Sequence, residues 1–450
     1  MKRLFAWVLL VVMLMLGALG IATAQDSLPT AAVTLTADGL SAPESLAAGL
    51  TTLVFENAAE APLIGVLLRL NDGVTLDALF GAMAEDPLGM LPLVSLRGGP
   101  AVMPGQSAAM TYALDAGDYV LINFAGEVPQ IAPIAVSGDA GVQDEPEADL
   151  LVSMADFVYG LPDRVAAGAQ VWRITNTGGQ WHELAIAPVE AGTTVEDVQS
   201  WLAEGGEFAQ SQLPVLMPMD AGQTVWVDVN LAPGTYAVIC NLPDIMAQDG
   251  MHIHYDLGMI RIVTVAEVST YEDANGLFTV NYPAAFTAVR PDLAREFGLP
   301  FPSVGFADTE DTLTKSLAAE IVPDGGYGIA VMLLPEAFFT SMGLPADAPL
   351  SDLAQVFAPE PGNAEGLEVA SLESITLPNG TEAVRAAGKG VTEDTQVLFF
   401  ELADGLYTMV SMVTAVGGRT EAMEADLVAV ATSLVFTGSL EDVLAGMGGE

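Results

Sequence analysis

Residues 224–240, TVWVDVNLAPGTYAVIC, are two runs of alternating β-branched and aromatic residues around an Ala-Pro-Gly turn. Alternation sends successive side chains to opposite faces, so each run reads as a strand and the pair as a hairpin. The pattern occurs twice. PGQSAAMTYALDAGDYVLINFAG (104–126) matches AGQTVWVDVNLAPGTYAVICNLP (221–243), with Gly105 on Gly222, Gly117 on Gly234 and Tyr119 on Tyr236. Upstream, residues 53–79 match residues 172–198 without a gap, placing Asn57 on Asn176, Thr75 on Thr194 and Asp77 on Glu196. The offset moves only from 119 to 117 between the blocks, so the chain contains a duplicated domain. Short strands at this spacing predict a β-sandwich in each copy. Val195, Val198, Trp201 and Leu202 follow helical spacing and predict a helix near 194–205.

Outward from the repeat, the chain divides as follows. Residues 1–24 have a basic start, a long apolar run and Ala22-Thr23-Ala24, the form of a cleaved secretory signal. The run is long enough to serve as an uncleaved anchor instead. Residues 25–137 are the first copy, and the acidic stretch 138–147 is a linker. The second copy is 148–266. A third unit, 269–437, has strand-like runs such as YGIAVMLL and LYTMVSMVTA, then a helix from Arg419 to Thr432. Strands closed by a packed helix predict α+β. Residues 438–450 read as a tail, and Asp308, Glu310 and Asp311 as a solvated turn.

The chain has 58 acidic and 13 basic residues, a net charge of −45. That repels nucleic acid and anionic membrane surfaces. It suits solubility outside the cell, or steering of a basic redox partner. Beyond the signal no segment approaches a membrane span. One cysteine in 450 residues permits no internal disulfide, and an exported chain keeps such a thiol free, paired between chains or protected by ligation.

That cysteine lies among all three histidines, in the order His182, Cys240, His252, His254, followed by Met259. Two imidazoles, a thiolate and a weak thioether are the ligands of a mononuclear blue-copper site. A cysteine alone would be a small buried hydrophobe; the conjunction in one copy raises the reading to a metal site, copper before zinc on ligand softness. The first copy has Leu63 and Asn123 at the positions of His182 and Cys240, and no histidine. Three histidines are too few for a multicopper oxidase centre, and none is left to pair with a nucleophile.

NTGGQWHEL, GTYAVIC and HYDLGM give the second copy, about 148–266, a resemblance to the cupredoxin family. The first copy shares its fold pattern only. The resemblance implies two tandem Greek-key sandwiches, a ligand set of His182, Cys240, His254 and Met259, and electron exit through His254. His252 is the alternate ligand; the five-residue step to Met259 favours His254. Asn176 and Glu183 are candidates to tune the site. The third unit loosely resembles the PsbP/Mog-like α/β sandwich family, through LFTVNYPAAF and its closing helix. The expected function is one-electron transfer by a secreted or cell-surface copper protein with a redox partner protein, a carrier and not a catalyst. Two alternatives remain open: a metal-free extracellular scaffold, and a copper carrier using Met217, Met219, Met246 and Met251 with His252 and His254.

Overall fold

A computed structural model describes residues 28–447 apart from 37, 87, 125–128, 142, 207, 209–213, 248–251, 319, 357–367 and 390–392. The signal expected over 1–24 lies outside the described residues. Among those described, no helix is long and apolar enough to cross a membrane.

The protein is mainly β, with sandwich-like pairs of sheets, as the repeat predicts. In the first copy, Thr30–Thr36 runs parallel to Gly49–Asn57, which pairs antiparallel with Ser107–Leu114. The second copy repeats the arrangement with Leu150–Ala155, Gly168–Asn176 and Thr224–Leu231. The register also repeats: Val33 faces Phe55 as Val152 faces Ile174. Facing these strands are a sheet containing Leu63–Leu70 and Gly117–Asn123, and its counterpart containing His182–Val189 and Gly234–Ile239.

The copies are joined more closely than tandem sandwiches on a linker. Ser107–Leu114 pairs with Thr224–Leu231, Met110 facing Val227, so one eight-stranded sheet runs through both. Met110 and Val227 are equivalent positions of the repeat, so the seam has a pseudo-twofold axis at that pair. Alternation buries Val225, Val227 and Val229 while exposing Asp228 and Asn230. A single apolar core extends across both copies. The linker is tied down as well: Gln143 hydrogen-bonds Leu50 in the first copy, and Glu145 pairs with Arg173 in the second at 3.3 Å.

Helices occur where the repeat places a threonine. Thr75 caps Leu76–Glu85 by accepting from the Ala78 N–H. Thr194 caps Val195–Ala203 through a reciprocal capping box with Asp197. Asp77 and Glu196 sit in the first turns, where negative charge offsets the helix dipole.

The third unit has a seven-stranded antiparallel sheet and a three-stranded one, with the helix Glu421–Thr432 packed against them. Two segments differ from what the sequence predicts. The tail contains the helix Leu440–Met447, whose Val443 is fully buried, because Leu440 and Val443 share one apolar face. The acidic turn is a helix start: Thr309 caps Glu310–Leu317, with Asp311 bonded to Lys315 one turn later. Arg164 joins this unit to the second copy through Asp426 at 2.8 Å.

Candidate metal centre

Cys240 follows the strand Gly234–Ile239, where the chain leaves the sheet and enters a loop of twenty residues, 240–259. The loop returns because its ends pair. Pro243 bridges Ile253, the Asp244 N–H donates to the His252 carbonyl, and the His254 N–H donates to the Leu242 carbonyl. Residues 242–244 and 252–254 thus pair as the two arms at the base of this loop. Past these arms, the Met259 N–H donates to the His254 carbonyl and the Cys240 N–H to the Met259 carbonyl. His182 begins the strand His182–Val189 and pairs with Met219.

The side chains of His182, Cys240 and His254 converge, with one donor atom from each inside a span of 4.8 Å. All three are fully buried, as is Met259 in the same apolar core. The two Nδ1 atoms are 3.1 Å apart, and Cys240 Sγ is 3.2 Å from His254 Nδ1. His252 is half-buried and lies outside this group.

The outer nitrogens face acceptors. His182 Nε2 is 3.1 Å from Asp156 Oδ1, and His254 Nε2 is 3.3 Å from Gln180 Oε1. A carboxylate and an amide oxygen call for N–H at both Nε2 positions, which leaves both Nδ1 lone pairs facing inward. Two lone pairs at 3.1 Å repel each other; a cation shared between them removes that conflict. Imidazole nitrogens bound to one ion at about 2.0 Å each must lie within about 4 Å of each other, and these do.

The electrostatics agree with neutral imidazoles. Burial lowers the pKa of His182, against the pull of Asp156. Burial and then the charge of His182 push His254 down to about 4. Burial, then Glu183, pushes the Cys240 thiol up to about 12, while the backbone N–H groups of Glu183 and Leu242 favour the thiolate. Metal ligation needs neutral imidazole and thiolate, so an ion here would displace the thiol proton.

Of the two residues expected to tune the site, Asn176 spans the adjoining loops, donating to the carbonyls of Gln180 and Met219. Glu183 is buried, which raises its carboxyl pKa, and it accepts from the backbone and side chain of Asn241. His254 is no surface exit for electrons. Its ring is fully buried beside Gln180, with Phe157 edge-on at 5.4 Å. Asp156, Phe157 and Gln180 are the site's neighbours that ligand spacing does not reveal. Their signal lies in the repeat, where the matching positions are Ala37, Asp38 and Ala61. Of the methionines, Met219 is fully buried beside His182, Met246 is 67% exposed, Met217 packs in a separate apolar cluster, and Met251 lies outside the described residues.

No protein-family model matches the chain, and no curated protein matches its sequence. Among solved structures, it is similar to dithionite-reduced auracyanin from the photosynthetic bacterium Roseiflexus castenholzii, at 19% identity over 26% of this chain and 95% of that one, TM-score 0.19. A multicopper oxidase matches at 13% identity over 53% of this chain and 88% of its own, TM-score 0.17. The copper-containing nitrite reductase of Thermus scotoductus SA-01 matches at 12% over 53% and 61%, TM-score 0.16. At these scores the likenesses carry no argument, and the reading of the centre rests on its own geometry.

Proposed function

We propose that the second sandwich binds one copper ion, which His182 Nδ1, Cys240 Sγ and His254 Nδ1 would hold, with Met259 as a fourth, weaker ligand. On this reading the protein is an extracytoplasmic one-electron carrier serving a redox partner protein. The observation that carries it is the inward convergence of two Nδ1 lone pairs and one sulfur, with each Nε2 held by an outer acceptor. Thiolate and imidazole together suit copper, and a thioether suits its reduced state. Bound copper supplies a one-electron couple. The protein's part is to hold its ligands on a rigid strand pair and a pinned loop, and to exclude water by burial.

The test is Cu(II) titration followed by visible absorption, on wild type and Cys240→Ser. An intense thiolate-to-copper band is expected in wild type and none in the variant. A colourless wild type that retains no metal overturns the reading and leaves a metal-free module. Equal Cu(I) uptake by both proteins would instead indicate a methionine and histidine carrier.

A further inference from the structure

Asp156 and Phe157 form the turn between the strands Leu150–Ala155 and Val158–Gly160. Phe157 has φ +66°, a left-handed conformation that residues with a side chain rarely adopt. The conformation coincides with two contacts. Phe157 lies against the His254 ring, and Asp156 Oδ1 lies 3.1 Å from His182 Nε2. Both Asp156 oxygens also accept from the Gly179 N–H, at 2.9 and 3.0 Å, so the loop leading to His182 itself anchors the carboxylate.

Gly178 makes room for this contact. A Cβ there would lie 2.5 Å from Asp156 Oδ1 and 2.7 Å from His182 Nε2. The matching position in the first copy is Ala59, where the repeat has no histidine to orient and no aspartate to receive it. Carboxylate, imidazole and glycine are thus present together in the copy with the ligands and missing together in the other.

Building on the copper reading, we propose that Asp156 is the positioning residue of the metal centre. Its carboxylate holds His182 as the Nε2–H tautomer with Nδ1 directed inward, and its negative charge favours the more highly charged oxidation state. Outer carboxylates orient histidine ligands and raise their basicity in this way. When the centre is reduced, one electron arrives from a reduced partner protein, which is thereby oxidised, and no bond to Asp156 is made or broken. The potential is therefore lower than a neutral acceptor in the same place would give.

The test has two readouts on the full chain. In metal-free protein, nitrogen NMR of His182 should show the proton on Nε2 in wild type, and a mixture of tautomers in Asp156→Ala and Gly178→Ala. In copper-loaded protein, Asp156→Asn keeps an acceptor and removes the charge. It should keep the absorption band and shift the preference for the reduced state by about tenfold, about 59 mV upward. Asp156→Ala should weaken metal affinity about 10-fold or more. The proposal is overturned if His182 carries its proton on Nδ1, or if the Asn and Ala variants both keep the wild-type potential. A wild type that takes up no copper overturns the copper reading and the electronic half of the proposal together. The metal-free tautomer then decides the positioning half alone.

Discussion

Asn57 and Asn176 occupy the same position in the two copies and make the same three hydrogen bonds. Asn57 Nδ2 donates to the carbonyls of Ala61 and Val102 at 2.9 and 2.8 Å, and its Oδ1 accepts from the Ala59 N–H at 3.0 Å. Asn176 reproduces these with Gln180, Met219 and Gly178 at the same lengths. The first copy has no ligands to tune, so this bracket belongs to the sandwich and not to the metal centre. Cys240 and Asn123 show the complementary case. The Ile64 N–H donates to Asn123 Oδ1 at 2.9 Å, and the matching N–H of Glu183 donates to Cys240 sulfur. The backbone presents a donor at this place in either copy, and an amide oxygen meets it as sulfur does. The copies share a scaffold and differ in the ligands, the acceptors behind them and the length of chain before the next strand: six residues, 124–129, against twenty, 240–259.

Substitution at the seam should do the most damage. Met110 and Val227 face each other on the pseudo-twofold axis and are 0% and 2% exposed. Met110→Glu and Val227→Glu each bury an unpaired charge in the common core. Each should cost at least about 4 kcal/mol, with similar losses in chemical denaturation. A loss confined to one variant would show that the two sides of the seam are not equivalent.

Next in size is the bracket. Asn57→Ala and Asn176→Ala each remove three buried hydrogen bonds, worth about 3 kcal/mol together. Equal destabilisation in the two variants upholds a role in the fold. If Asn176→Ala alone lowers stability, and does so only in metal-loaded protein, then Asn176 serves the centre.

How much of this is legible in the sequence follows the same division. The duplication, the strands and the capping threonines can be read because alternation and caps act over a few residues. The ligands can be read because histidine and cysteine are so scarce here. Contacts made between segments far apart in sequence cannot. Asp156 reaches His182 across 26 residues, and no spacing rule links a carboxylate in a turn to an imidazole on another strand. The exit assigned to His254 failed for a related reason. A loop position suggests exposure, but Phe157 and Gln180 come from elsewhere and cover the ring. The shared sheet was hidden because either copy alone satisfies its own strand pattern, and nothing in that pattern tells that residues 110–112 pair with residues 225–227.

A milder effect is expected at the outer strand Arg164–Ala166, through which the second copy meets the third unit. Arg164 forms an ion pair with Asp426, whose side chain is 2% exposed; the matching residue of the first copy is Ser45, which is exposed. Burial raises the Asp426 carboxyl, while the Tyr327 hydroxyl at 2.5 Å and the Arg164 charge act the other way. A raised carboxyl means that the folded protein holds this proton more tightly than the unfolded chain does. The resulting stability is complete below about pH 4 and is lost as pH rises through the raised value. Arg164→Ser removes one restraint, raises the carboxyl further and extends the loss to higher pH. It should cost about 2 kcal/mol near neutrality, since Arg164 itself is 26% exposed and partly screened, and little at pH 4. The reciprocal Ser45→Arg should stay within about 0.5 kcal/mol of wild type, because its side chain enters solvent. Urea denaturation at pH 4 and pH 7 measures both variants. A deficit in Arg164→Ser that does not grow with pH would mean that the contact acts by packing, and the two copies would then differ at this strand in shape and not in charge.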